Sequence, residues 1–272
     1  MKLSLFIIFN LLLLNTSLSA KEDNIVIFVH GLAASSKVYE HNKKIKKIFK
    51  ENKQSFHVAN IPPMIDLAKH DSILAEEIKR LSNGKQFHLV AHSMGGILAR
   101  KVLKDFKLHK RCLSLTTIST PHRGSVVANW AMKKIKSPDL SKMEKIIVDL
   151  VVGDSNDAIP TLTTRYMKYY FNPLYPNYRK VKYYSLGFYI PHKVEDYTKN
   201  PIIRYVHNIQ KSKYFIFRND GFVSTSSARW GKYLGTFQGD HFSETAPFKF
   251  NGERIYKSVF QIVSSNIFRN FQ

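Results

Sequence analysis

Between Gln86 and Phe106 the chain sets an apolar run, Gln86 to Ala91, almost directly against a helix-forming run that begins at Gly95. Only His92, Ser93 and Met94 separate the two. A strand that passes into a helix within so few residues must turn sharply, and strand and helix then approach closely. The flanking positions therefore have to be nearly free of side chain. Ala91 and Gly95 meet that demand; the usual first residue of such a turn is Gly, and Ala91 keeps the steric logic. The turn lifts the hydroxyl of Ser93 out of the sheet.

The rest of the chain repeats the same alternation. Asn24 to Val29 is a continuous apolar run of the kind that suits a strand buried on both faces. A helical segment spans about 36 to 53, and a strand spans Phe56 to Ile61 before Pro62-Pro63. Leu67, Ile73, Leu74, Ile78 and Leu81 mark an amphipathic helix closed by Asn83-Gly84. Cys112 to Ile118 reads as a further strand, and 254 to 268 as a closing helix. The fold class that follows is α/β, a mostly parallel sheet with helices on both faces. From about 137 to 200 the rhythm breaks into aromatics, methionines and proline turns around a strand at Val181 to Leu186, a lid-like insertion. Alternation is expected to resume with a strand at Tyr214 to Phe217. No repeat or long linker divides residues 21–272, which read as one domain.

Composition narrows the classes further. A single cysteine, Cys112, excludes an intramolecular disulfide framework and a multi-thiolate zinc site. The patterns of P-loops, zincins and dinucleotide-binding turns do not occur. Residues 1–20 combine Lys2, an apolar stretch from Leu3 to Leu14 and small polar residues up to Ala20, which reads as a signal peptide directing secretion or periplasmic export; an uncleaved anchor is the alternative. The formal charge is +22. Lys43, Lys44, Lys46, Lys47, Lys50 and Lys53 alternate with Val38, Ile45, Ile48 and Phe49 at helical spacing, so the bland reading is a solvated helix face. An anionic membrane surface is the second reading, and no nucleic-acid module accompanies the charge.

A serine at a strand–helix turn becomes a nucleophile when a histidine takes its proton and a carboxylate orients that histidine. In doubly wound hydrolases the chain order is serine, acid, histidine. After Ser93, His122 comes too early for an acid to intervene. His241, in Gln238-Gly-Asp-His241 before the last helix, fits the base, with His192 and His207 as alternatives. Asp220 fits the acid that ends a strand. Asp240 is a rival but adjoins His241, and Glu195 and Asp196 lie in the insertion. The oxyanion needs preplaced N–H donors, assigned to the backbone of Met94 and to the loop after Val29-His30-Gly31, at Leu32. His30 reads as a residue that shapes this loop.

These residues resemble those of the secreted triacylglycerol lipases of the α/β-hydrolase superfamily. The matching segments are Phe28-Val-His-Gly31, Ala91-His-Ser-Met-Gly-Gly96, Thr116 to Ser125, and Asn219-Asp-Gly-Phe-Val223 continuing through Ala228-Arg-Trp-Gly231 to Asp240-His241, in family order. The resemblance implies the α/β-hydrolase fold, Ser93 as nucleophile, Asp220 as acid, His241 as base, and a lipid or ester substrate. It places His122 and Arg123 in a loop beside the site. Several relatives carry an acidic calcium ligand two positions after the histidine; Ser243 stands there, so neither metal nor cofactor is expected. A phospholipase, thioesterase, acyltransferase or short-chain esterase could use the same residues. So, without catalysis, could a basic membrane-binding protein on a degenerate hydrolase scaffold.

Overall fold

The computed structural model describes residues 24–31, 36–40, 43–62, 67–152, 161–191, 198–243 and 252–271. Residues 1–20, expected to be a signal peptide, and Leu32, His192, Glu195 and Asp196 lie outside these residues.

Six strands form one sheet in the order β2-β1-β3-β4-β5-β6, and every neighbouring pair is parallel. They are β1 Asn24–Val29, β2 Gln54–Val58, β3 Phe87–His92, β4 Cys112–Ile118, β5 Lys182–Tyr189 and β6 Lys232–Gln238. Helices α1 Ser36–Glu40 and α2 Lys43–Glu51 follow β1, α3 Leu67–Ser82 follows β2, and α4 Met94–Asp105 follows β3. After β4 come α5 Val126–Lys134 and α6 Lys142–Val152. The next helical segment, α7, has α-helical turns at Thr164–Tyr166 and Asn172–Leu174 on either side of a π-turn at Met167–Phe171. Then α8 Pro201–Tyr214 and the short α9 Thr225–Ala228 precede β6, and α10 Gly252–Asn270 closes the described chain. Among the described residues no helix is long and apolar enough to cross a membrane.

The sheet is buried on both faces, as continuous apolar strands require. Ile27, Val29, Leu89 and Ala91 face the layer that holds α3 and α4. Val26, Phe28 and Val90 face the opposite layer, where Phe49 of α2 and Phe260 of α10 meet Phe56. In α2 the core takes Ile45, Ile48 and Phe49, while Lys43, Lys44, Lys46, Lys47 and Lys50 face solvent. Cys112 is buried and reduced at the start of β4, and burial pushes its thiol pKa up.

One expectation about the second half of the chain fails. No strand forms at 214–217: Tyr214 ends helix α8, and Asp220 follows a turn. Asn200 caps α8, its side chain accepting from the amides of Ile202 and Ile203, with Pro201 at the first helical position. β6 fills the edge place instead, at 232–238. Within the segment 137–200, β5 belongs to the central sheet between β4 and β6. Tyr183, Tyr184 and Phe188 of that strand are core residues, whereas Tyr169 and Tyr170 of α7 are exposed.

Candidate active site

The turn from β3 to α4 stands at the edge formed by the carboxyl ends of the strands, between β1 and β4. Ser93 adopts φ 52° and ψ −130°, a left-handed conformation that a residue with a side chain rarely takes. Its amide donates to the Ile118 carbonyl at 2.9 Å, which ties the turn to the end of β4. The close approach expected of such a turn is present. A Cβ on Gly95 would run into the backbone carbonyl of His30 and lie 2.8 Å from that of Val29, and one on Gly31 would lie 2.8 Å from Ser93 Cβ.

Three loops bring the expected side chains together. Ser93 Oγ lies 2.8 Å from His241 Nε2, and His241 Nδ1 lies 2.8 Å from Asp220 Oδ2. All three side chains are buried. The second oxygen of Asp220 accepts from the amides of Phe222 (3.0 Å) and Val223 (2.7 Å), and the His241 amide donates to the Asp220 carbonyl at 2.8 Å. Asp240, the rival acid, is used by its own turn: its Oδ1 accepts from the Phe242 amide and the Ser243 hydroxyl, each at 3.0 Å. His207 is drawn off as well, with Nδ1 2.9 Å from Asn219 Oδ1. Asn219 also accepts from the Gly221 amide, so His207 and Asn219 brace the loop that carries Asp220. Met94 opens α4 beside Ser93, and amides of a first helical turn have no acceptor within the helix.

Several supporting residues were not singled out from sequence. His92 Nε2 donates to the His241 carbonyl at 3.0 Å, holding the histidine loop from the turn at Ser93 itself. Phe222 and Phe242 flank the His241 ring at 5.3 and 5.5 Å between centroids. Two turns along α4, Arg100 is buried and donates to Asn172 Oδ1 (2.9 Å) and the Tyr175 carbonyl (2.6 Å). Its guanidinium stacks 3.9 Å from the centre of the Trp230 ring. No carboxylate among the described residues pairs with it, and burial pulls its pKa down to about 9, still a cation at neutral pH. Arg100 Nη1 also approaches His122 Nδ1 (3.2 Å). Burial first, then Arg100 and Arg123, hold the His122 pKa well below the ordinary value. The neutral ring therefore accepts at Nδ1 and gives its one proton to Thr117 Oγ1, 2.9 Å from Nε2. His122 is thus packed beside the site and bonded away from it. His30 is buried too, its ring nitrogens 3.0 and 3.1 Å from the carbonyls of Gly31 and Ile61, as a loop-shaping residue requires.

A family model described as "Putative serine esterase (DUF676)" matches residues 19–168, more than half of the chain. The chain belongs to this DUF676 family. Two triacylglycerol lipases are similar to part of it. Triacylglycerol lipase 2 of Saccharomyces cerevisiae (strain ATCC 204508 / S288c) is 35% identical over 172 residues, covering 62% of this chain and 49% of that protein. A triacylglycerol lipase of Pseudarthrobacter phenanthrenivorans is 27% identical over 135 residues, covering 46% of this chain and 42% of that protein. The DUF676 chain thus matches less than half the length of either relative. The crystal structure of mature Bacillus licheniformis lipase BlEst2 superposes with a TM-score of 0.67 at 22% identity, covering 90% of this chain and 93% of that one. That of the metagenomic carboxyl esterase MGS0156 gives 0.69 at 18%, covering 90% and 76%. The fold is that of the α/β-hydrolase lipases and esterases.

Proposed function

We propose that this DUF676 protein hydrolyses carboxylic esters of lipids through an acyl-enzyme on Ser93. The observation that carries the reading is the unbroken chain Ser93 Oγ–His241 Nε2 and His241 Nδ1–Asp220 Oδ2, with 2.8 Å at each step. In the proposed cycle Asp220 holds the imidazole with its proton on Nδ1, leaving Nε2 to take the Ser93 proton as Oγ attacks the ester carbonyl. The carbonyl oxygen becomes an oxyanion met by the amides of Met94 and Leu32. His241 returns the proton to the leaving alcohol, and water repeats the sequence to release the acid. Phe222 and Phe242 beside His241 support an apolar acyl group, as do the names of the relatives.

In this reading residues 1–20 direct export, the mature enzyme acts in the periplasm or outside the cell, and the segment 137–200 shapes access to Ser93. The charge of +22 favours a second reading, hydrolysis or acyl transfer on anionic phospholipid. Turnover of p-nitrophenyl esters of increasing chain length, beside Ser93→Ala, tests the first. We expect activity that rises toward long chains, drops by several orders of magnitude in the variant, and is accompanied by fluorophosphonate labelling at Ser93. Folded protein that neither turns over these esters nor takes the label would leave the non-enzymatic membrane-binding reading in its place. Fatty acid release from anionic phospholipid vesicles, absent with the simple esters, would favour the second reading.

A further inference from the structure

Between α8 and Asp220 the chain makes a turn, Phe215 to Arg218, that holds two aromatic side chains in solvent. Phe215 is 76% exposed, the most exposed large apolar side chain among the described residues, and Phe217 is 56% exposed. Phe215 also sits at φ 54°, in the left-handed position that closes a helix and that glycine ordinarily fills. A bulky residue there costs stability, and this one gains no burial in return. Folding therefore does not account for it.

The turn is built, not loose. The Ile216 amide donates to the Gln210 carbonyl at 2.9 Å, Asn219 Nδ2 to the Ile216 carbonyl at 2.7 Å, and the Thr225 amide to the Arg218 carbonyl at 2.9 Å. Next along, the Ile190 amide donates to the Asn219 carbonyl at 2.8 Å where β5 ends, so the turn stands at the edge of the sheet that carries Ser93 and His241. The charged side chains on the last turn of α8 and on the turn itself are basic. Lys211 and Lys213 lie on the last turn of α8, and exposed Arg218 stacks its guanidinium 4.3 Å from the Tyr189 ring centre. From Thr198 to Asn219 the sequence has no Asp or Glu.

We propose that the Phe215–Arg218 turn docks the enzyme on an anionic lipid surface. Phe215 and Phe217 enter the boundary between headgroups and acyl chains, while Lys211, Lys213 and Arg218 meet the anionic headgroups. This extends the lipid-ester reading and rests on it for the purpose of docking, which is to bring the edge that bears Ser93 against its substrate. A convex turn of four residues offers far less than the roughly 800 Å² per side of a stable protein interface. It suits a fluid surface that closes around protruding rings.

The test measures sedimentation of the Ser93→Ala protein with phosphatidylcholine vesicles, with and without phosphatidylglycerol. Phe215→Gly/Phe217→Ser relieves the left-handed strain, so its thermal midpoint is expected to stay level or rise. Its binding to phosphatidylglycerol vesicles is expected to weaken by about tenfold or more. Lys211→Glu/Lys213→Glu/Arg218→Glu should lose binding to the anionic vesicles in the same way. With Ser93 restored, both variants should turn over soluble p-nitrophenyl butyrate within about twofold of the parent, since neither touches the triad. Unchanged vesicle binding in the glycine–serine variant overturns the proposal. So does an absence of vesicle binding by the parent, or a loss that instead follows Tyr169→Ser/Tyr170→Ser on α7 or Lys43→Glu/Lys47→Glu on α2. Failure of the hydrolase reading shows separately, as absent ester turnover in a protein that still binds vesicles.

Discussion

Asp220 divides its work between its two oxygens: Oδ1 takes the amides of Phe222 and Val223, and Oδ2 takes His241 Nδ1. The first pair fixes where the carboxylate points, so the second can fix which nitrogen of His241 carries the proton. In Asp220→Asn an oxygen is still needed at the two amides, which turns the NH₂ group toward His241 and favours the wrong tautomer. Ester turnover is expected to fall by about 10³- to 10⁴-fold while the fold is retained. The check is kcat/KM beside an unchanged circular dichroism spectrum, and a loss below tenfold would remove Asp220 from the orienting role. Chain order, the loop before the last helix and the family resemblance pointed to Asp220 and His241, although the strand expected to end at Asp220 does not form. His92 was not legible. Its bond runs to a backbone carbonyl 149 residues away, and nothing in its neighbourhood on the chain signals that partner.

At the scale of elements, α4 does more than present Ser93. Arg100 reaches out of it to Asn172 and Tyr175, fastening α7 and the chain after it to the helix behind Ser93. A charged side chain amid the buried run Ile97, Leu98, Ala99, Val102 and Leu103 was the available signal, since an arginine so placed must find polar partners. Arg100→Lys keeps the charge and loses the planar fork and the stacking on Trp230, and is expected to cost about 1–3 kcal/mol in urea unfolding. Stability equal to the parent would show that the fork is dispensable. The elements that sequence patterning misplaced have physical reasons. The run Phe215-Ile-Phe217 is apolar and aromatic, as a strand would be, but α8 ahead of it already buries Ile203, Val206 and Ile209, and the run is left on the surface. β6 lies at the sheet edge, half-buried along most of its length and interrupted by Gly235, so it carries neither the continuous apolar run nor the alternation that marked the inner strands.

Over the whole molecule, buried histidines contribute to the response to acid. Burial lowers the pKa of His88 from 6.5 to about 4, and those of His30, His122 and His207 are lowered chiefly for the same reason. Each therefore takes up its proton at a lower pH in the folded chain than in the unfolded one, and for His88 the resulting loss of stability grows as pH falls from 6.5 toward 4. For His88 alone the loss by about pH 4.5 is about 2–3 kcal/mol. His88→Asn, which cannot titrate, should flatten the dependence of urea-unfolding stability on pH by that amount between about pH 7.5 and 4.5; an unaltered slope would show that His88 does not contribute it. The sequence by itself determined the inner strands, the turn at Ser93 and the order of the catalytic candidates. Each of these is a local demand: burial on two faces shows as an unbroken apolar run, and close approach shows as Ala or Gly. Tertiary structure decided which loops meet. Strand order β2-β1-β3-β4-β5-β6 brings Ser93 and His241 to 2.8 Å across 148 residues, sets Asp240 into its own turn and leaves Phe215 in solvent. Contacts of that range depend on how the elements pack, and the period of a single segment carries no record of it.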